Sequence, residues 1–378
     1  MSSRVFINVP MSSHLEYKNL IKLLPSSQNF FTNWRASNKH LYLLPKGAIA
    51  LKLLCELYLT QQNKKVITLF VPDYICNSAL VYIRMLPVKL VFYPISAELR
   101  PDWDSIERLA KHSSPDLLLL VHYFGVKNDL TGAVDFCKRY SCHLIEDAAH
   151  VLMPVADIGR YSWATFFCPY KFLALPDGGA ILQFSTDIEQ SFINDKNLGY
   201  DIDYSLPLKW LCKRILIKGC DLLRLSWPAA LPRSHAEGDV VDFGKTVEKF
   251  YKQSVANLLG ACDAKQVKLK RRCNYKRLTH NIKGGDITPI FPKLEAEEIP
   301  YVLPIRSSED IASCLYAKML KHGVPVQAWP DLPQEVLACP GEHRAAMNLR
   351  ATVNLLPVHQ SLKERHLQKI IKVLNEYK

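Results

Sequence analysis

No G-x-G-x-x-G fingerprint, no Walker loop and no H-E-x-x-H or other metal-ligand spacing occurs in this chain. Those absences remove dinucleotide recognition, P-loop ATP chemistry and zinc-dependent hydrolysis as starting points, and no metal site is expected. The cysteines number 11, an odd count, and none lie in a C-x-x-C pair. That pattern is neither a disulfide framework nor a zinc ribbon, and it favours a reducing cytoplasm. Long apolar runs are missing as well. The run LLLLV (117–121) is far short of the roughly 20 residues that cross a bilayer, and MSSRVFINVPMSSHLEYKN at the start has no secretory apolar core. Acids are in deficit, 36 against 48 Lys and Arg, for a net charge of +12. A surplus of that size suits an anionic partner: nucleic acid, an anionic membrane surface, or phosphates and nucleotides. Neither an internal repeat nor a low-complexity tract is present.

What is there reads as an ordinary globular chain of 378 residues, 48% hydrophobic and 22% charged, long enough for two or three domains. Residues 1–40 look like an extended arm. KGAIALKLLCELYLTQQ (46–62) has helical spacing, KKVITLFVP (64–72) reads as a strand, and NSALVYIRML (77–86) as a helix. The alternation runs on through a strand at 88–95, a helix near 102–112, a strand at 116–124, a helix at 131–140 and strands at 142–148, 162–167 and 179–185. Strands apolar along their whole length and alternating with helices predict an α/β fold, a mainly parallel mixed sheet covered by helices. Ligands in such sheets bind at the carboxyl ends of strands, which directs attention to the loops after Phe70, His122, Ile145 and Phe167. From 186 to 245 the pattern changes, and 205–232 holds an amphipathic helix with five Lys or Arg residues. It can lie on a membrane surface, or pack on the body of the protein or on a second subunit. A smaller α/β domain follows. The expected division is therefore an arm (1–40), a large domain (41–245) and a small C-terminal domain (246–378).

One lysine sits in apolar company. In FFCPYKFLALPDGGAIL (166–182), Lys171 lies between Cys-Pro-Tyr and Phe-Leu-Ala-Leu, with Gly178 and Gly179 downstream. Either its stem packs while the amine reaches water, or the amine is covalently used. Twenty-four residues earlier, LIEDAAH (144–150) brings Asp147 to the end of an apolar strand, where a carboxylate can cap a helix or hold a charge. Lysine plus buried carboxylate is the pair that pyridoxal 5′-phosphate (PLP) requires: an amine for its aldehyde and an anion for its pyridinium nitrogen.

The order of these motifs resembles the DegT/StrS-type aminotransferases of the aspartate-aminotransferase fold (fold type I). The resemblance covers roughly 40–180 and 245–378. It rests on LPKGAIAL (44–51), VPDYICNSA (71–79), VHYFG (121–125), LIEDAAH (144–150), YKFLALPDGGAIL (170–182), RRCNYKRL (271–278), GVPVQAWPDLP (323–333) and LLPVHQ (355–360). It implies Lys171 as the Schiff-base lysine and Asp147 as partner of the pyridinium nitrogen. Gly47 and Ala48 fall where a helix start offers N–H groups to the cofactor phosphate. His150 falls where relatives place a glutamine near the cofactor's phenolic oxygen, with a packed core histidine as the alternative. His122 and Tyr123 lie at a strand end facing the same crevice, where packing is the default role. An amino-acid donor such as glutamate, a nucleotide-linked keto sugar as acceptor, a polysaccharide-biosynthesis setting and a homodimer are further implications of the resemblance.

Departures from the family pattern are concrete. Phe166 stands where many relatives have a phosphate-binding serine, and Cys168 where a subset has one; a thiol is the weaker donor. Cys76 replaces a cofactor-stacking aromatic ring. They motivate a second reading, a binding or regulatory protein on the same fold, whereas Lys171 argues against a dehydratase, since such relatives carry histidine there. The basic stretch 265–280 offers a nucleic-acid alternative, but its charges surround Val267, Leu269, Tyr275 and Leu278 in the manner of a solvated helix.

Overall fold

The computed structural model describes residues 4–16, 34, 40–176, 179–184, 202–203, 205, 207–230, 251–282, 285–329 and 331–376. Most of the expected arm lies outside them, as does Gly178. The part that is described begins with β1 (Arg4–Ile7). A seven-stranded sheet follows, built from β2 (His40–Leu44), β3 (Ile67–Pro72), β4 (Val88–Tyr93), β5 (Leu117–Val121), β6 (His143–Ala148), β7 (Ala164–Phe167) and β8 (Ala180–Phe184). Its order is β2-β8-β7-β6-β5-β3-β4, and only β8 runs antiparallel to its neighbours. Every residue of β5 is buried because helices cover both faces, which is why that strand reads as an unbroken apolar run.

Helix α1 (Gly47–Gln61) packs its leucines on one face of the sheet, and α2 (Trp103–His112) and α3 (Leu130–Tyr140) contribute to the core on the other. Asp102 and Asp129 cap α2 and α3 by accepting the backbone N–H groups of Ser105 and Gly132. The segment 77–86 is not the expected helix. It forms two 3₁₀ turns, Asn77–Ala79 and Ile83–Met85, with Asn77, Leu80, Val81 and Ile83 buried.

Beyond the sheet come β9 (Ile202–Asp203), α4 (Leu208–Leu222), β10 (Trp227–Ala230), which pairs antiparallel with β1, and β11 (Tyr251–Lys252), parallel to β9. Then follow α5 (Gln253–Gly260), α6 (Ala264–Asn281), β12 (Thr288–Pro289), β13 (Val302–Arg306), α7 (Glu309–Lys321), β14 (Gln327–Ala328), α8 (Gln334–Ala338), α9 (Arg344–Thr352), β15 (Val353–Pro357) and α10 (Glu364–Asn375). Here the second sheet, β12-β13-β15-β14, is wholly antiparallel and shares a core with α6, α7 and α10. It abuts the carboxyl end of the large sheet: Tyr301 N–H donates to the Phe124 carbonyl at 2.8 Å, and Asn77 N–H to that of Asp331 at 3.0 Å.

Helix α6 corrects the reading of its charges. Arg271 is only 1% exposed, and Leu269, expected inward, is 64% exposed. The Arg271 guanidinium donates to Gln360 Oε1 and to the carbonyls of Pro300, Tyr301 and Phe172, and lies 4.6 Å from the Phe172 ring centroid. Burial lowers its pKa to about 9. This arginine ties the segment just after Lys171 to the second sheet.

Candidate active site

The carboxyl ends of β5, β6 and β7 and the start of α1 enclose a cavity of about 480 Å³, within the usual range for small-molecule sites. Lys171, Asp147, Gly47, Ala48, His150, Cys168 and Cys76 all line it. Four separate stretches of chain meet there because parallel strands deliver their loops to one edge.

Lys171 is presented by the 3₁₀ turn Pro169–Lys171, directly after β7, and its N–H donates to the Cys168 carbonyl at 3.0 Å. Its Nζ lies 6.0 Å from the Tyr301 ring centroid. Burial opposes the ammonium, but Cys168, Tyr301, Cys76 and Asp147 outweigh it and hold the amine above the usual lysine range. Asp147 ends β6 between Val121 and Phe166 and is 8% exposed. Its Oδ1 accepts the Ala149 N–H at 2.9 Å, leaving Oδ2 for a further donor. Burial pushes its pKa up, against the pull of Lys171.

The amino end of α1 opens on the same cavity. Lys46 supplies no side-chain cap and the first turn holds no acid, so the helix start is left for an external anion. Gly47 is required by packing: a Cβ there would stand 2.9 Å from Cys168 Sγ and 3.3 Å from the Phe166 ring. The Cys168 sulfur takes the Gly47 N–H and the Tyr170 hydroxyl, and burial raises its pKa to about 11, so it stays a neutral thiol. Phe166, the other departure noted in the sequence, is the wall against which Gly47 rests.

His150 is clamped between two rings. Phe124 stacks on it at 5.5 Å and 10°, Tyr301 at 4.9 Å and 15°, and Trp329 meets its edge at 5.9 Å. Its Nδ1 accepts the Phe124 N–H at 3.3 Å. Burial, aided by Lys171, holds its pKa well below the ordinary histidine value. The ring is therefore neutral with its proton on Nε2, a fixed donor beside the cavity. Phe124 pays for this placement with a left-handed backbone, φ 57°. Gly125 follows at φ 92°, where a Cβ would come within 2.2 Å of the Ile299 carbonyl.

His122 departs from its assignment as a cofactor contact. It is fully buried and does not line the cavity: Nε2 pairs with Glu146 at 2.8 Å and Nδ1 accepts the Asn128 N–H at 3.0 Å. Both ring nitrogens are engaged on the sheet's interior, so its part is packing. Sequence reasoning did not single out Tyr170, Tyr301 or Trp329, although Trp329 lies inside the quoted GVPVQAWPDLP. Trp329 stacks on Tyr74 at 4.4 Å and closes one end of the cavity. No local pattern marks Tyr301, which arrives from the strand edge of the second sheet.

The residues present fit PLP: an amine, a carboxylate, an uncapped helix start and a neutral hydrogen-bond donor around one cavity. Among the described residues there is no His/Cys/Asp/Glu cluster able to hold a metal ion. The sequence model of the DegT/DnrJ/EryC1/StrS aminotransferase family matches residues 36–204. No curated protein matches the chain by sequence. The fold is similar to that of the aminotransferase TlmJ from Streptoalloteichus hindustanus, with a TM-score of 0.70 and 16% identity over 98% of each chain. It is similar also to Helicobacter pylori PseC, an aminotransferase involved in the biosynthesis of pseudoaminic acid, with a TM-score of 0.69 and 14% identity over 98% of each chain. Escherichia coli GDP-4-keto-6-deoxy-D-mannose-3-dehydratase, with bound hydrated PLP, has a TM-score of 0.66 and 13% identity over 97% of this chain and 99% of its own. At these identities the structural likeness establishes the fold, and the family model covers the part of the chain that builds the large sheet.

Proposed function

We propose that the chain is a PLP-dependent aminotransferase of the family whose model matches residues 36–204, and that it moves an amino group from an amino acid, glutamate by preference, to a nucleotide-linked keto sugar in glycan or polysaccharide biosynthesis. The observation that carries the reading is the convergence of Lys171, Asp147 and the uncapped start of α1 on one cavity. We propose the same residues as the catalytic and cofactor-binding set, with His122 excluded.

Bound PLP would supply an aldehyde for amines and a ring that draws electrons from the substrate carbon. Lys171 Nζ would hold the cofactor before the substrate amine arrives, and afterwards would take and return the proton at the substrate carbon. Its neighbours favour the charged form, so the Lys171 ammonium would first have to give up a proton. Asp147, through the oxygen that Ala149 leaves available, would keep a negative charge at the strand end for the pyridine nitrogen. His150, whose tautomer the Phe124 N–H fixes, would offer Nε2–H to the phenolic oxygen. Ala48 N–H, which has no partner among the described hydrogen bonds, would serve the phosphate, with Cys168 packing behind Gly47. Trp329 and Tyr301 keep water away from the Lys171 amine.

The test is the visible spectrum of the purified protein with PLP, before and after borohydride, for wild type and Lys171→Ala. A visible band fixed to Lys171 by borohydride and bleached by glutamate is expected. A wild type that binds no PLP, or an unchanged band in Lys171→Ala, would instead favour a binding protein on the same fold. The Cys168 sulfur, which consumes the Gly47 N–H, is the feature that keeps that second reading in view.

A further inference from the structure

Helix α4 (Leu208–Leu222) packs on the core through Trp210 and Leu211 and turns three charged side chains toward the protein. Asp221 is 1% exposed, ion-pairs with Lys363 at 2.7 Å and lies 2.9 Å from the ring of His366, whose pKa burial lowers to about 4. Arg214 donates to Ser12 Oγ at 3.0 Å, and Lys218 to the Leu15 carbonyl at 2.9 Å. Most of its other apolar side chains face outward. Leu208, Cys212, Ile215, Leu216, Leu222 and Leu223 recur at helical spacing on one face, and Leu208, Leu216 and Leu223 are 60%, 68% and 71% exposed. Gly219 lies in the same stripe with open space where its Cβ would be. The stripe runs the length of the helix, about 22 Å.

Charge selects the occupant. The exposed charges beside the stripe are Lys209, Lys213 and Arg224, all cations. The one acid of the helix, Asp221, is buried and neutralised by Lys363 and Arg365, so no carboxylate of the helix itself balances them. Pairing two copies of the face about a two-fold axis would set cation against cation. An anionic lipid surface satisfies both parts at once: headgroups for the lysines and arginine, and the acyl boundary for the leucines. We propose that α4 is a peripheral docking helix that lays its apolar stripe into an anionic membrane surface. The polar contacts of its inner face hold it rigidly on the body of the enzyme, so docking needs no unfolding.

Sedimentation of the full-length protein with sucrose-loaded vesicles tests this, using phosphatidylcholine alone and an equal mixture of phosphatidylcholine and phosphatidylglycerol. Binding to the anionic vesicles is expected to exceed binding to the neutral ones by about tenfold or more, and to weaken with added salt. Leu216→Glu with Leu223→Glu abolishes it without loss of aminotransferase activity. Lys209→Glu with Lys213→Glu, which alters only exposed charges, lowers it and removes most of the salt dependence. Equal binding of wild type and both variants, or no binding to either vesicle, overturns the proposal. So does a wild-type dimer that Leu216→Glu with Leu223→Glu converts to monomer, which would assign the stripe to a second copy of the chain.

Discussion

Replacing Gly47 by alanine adds one methyl group at the first residue of α1, where helix propensity alone calls for a gain of up to about 1 kcal/mol. The surroundings call for the opposite. The new Cβ would stand 2.9 Å from Cys168 Sγ and 3.3 Å from two carbons of the Phe166 ring, closer than ordinary contact. Neither neighbour can swing away, since Cys168 and Phe166 are 1% and 3% exposed and each is held in a strand or turn of the sheet. Overpacking of this kind costs about 1–3 kcal/mol, so the net change is a destabilisation of about 1 kcal/mol. The strain falls on the helix start that faces the cavity. If the first turn moves to relieve it, PLP affinity falls about fivefold, the equivalent of about 1 kcal/mol. Gly219→Ala is the internal control: with nothing within 4 Å of its Cβ, it should stabilise by about 0.5–1 kcal/mol. Urea midpoints for both variants and a PLP titration of Gly47→Ala measure these effects. A Gly47→Ala protein that is stabilised like Gly219→Ala and binds PLP as wild type does would refute the packing argument and, with it, the account of the α1 start.

His150→Gln should bind PLP and retain activity within about tenfold, because both side chains can donate one hydrogen bond there. Since burial keeps the wild-type imidazole neutral, the activity profile through the ordinary histidine range should be the same in both proteins; an inflection lost on substitution would show that His150 titrates. Asp221→Asn should cost about 2–3 kcal/mol in urea unfolding at neutral pH, less than a fully buried pair because Lys363 and Arg365 remain partly in water. Burial alone would raise the Asp221 pKa, but Lys363, His366 and Arg365 bring it below the usual aspartate range. Its contribution is therefore complete above about pH 4 and drains away as pH falls through the lowered folded value, so the gap between variant and wild type should close on acidification. A gap that widens instead would contradict the ion-pair assignment.

The place of the candidate site was legible wherever it depended on residue type at a strand end. Asp147 after LIE, and Lys171 in an apolar run, report their burial through their neighbours, and strand periodicity carries both to one edge of the sheet. The α/β architecture was equally legible, because strands covered on both faces must be apolar throughout. What local pattern could not convey was direction and company. The segment 77–86 forms two 3₁₀ turns where its apolar content suggested a helix. His122 and His150 both follow apolar strands, yet one turns inward to Glu146 and the other is stacked beside the cavity by Phe124 and Tyr301, residues 26 and 151 positions away along the chain. Arg271 and α4 illustrate the same limit. Amphipathicity says that a helix has two faces, but which face meets the protein depends on the partners that the fold supplies. Three carbonyls and a glutamine make a buried arginine acceptable, and a lysine, an arginine and a histidine from the C-terminal segment turn the acid of α4 inward while Leu208, Leu216 and Leu222 stay in the open.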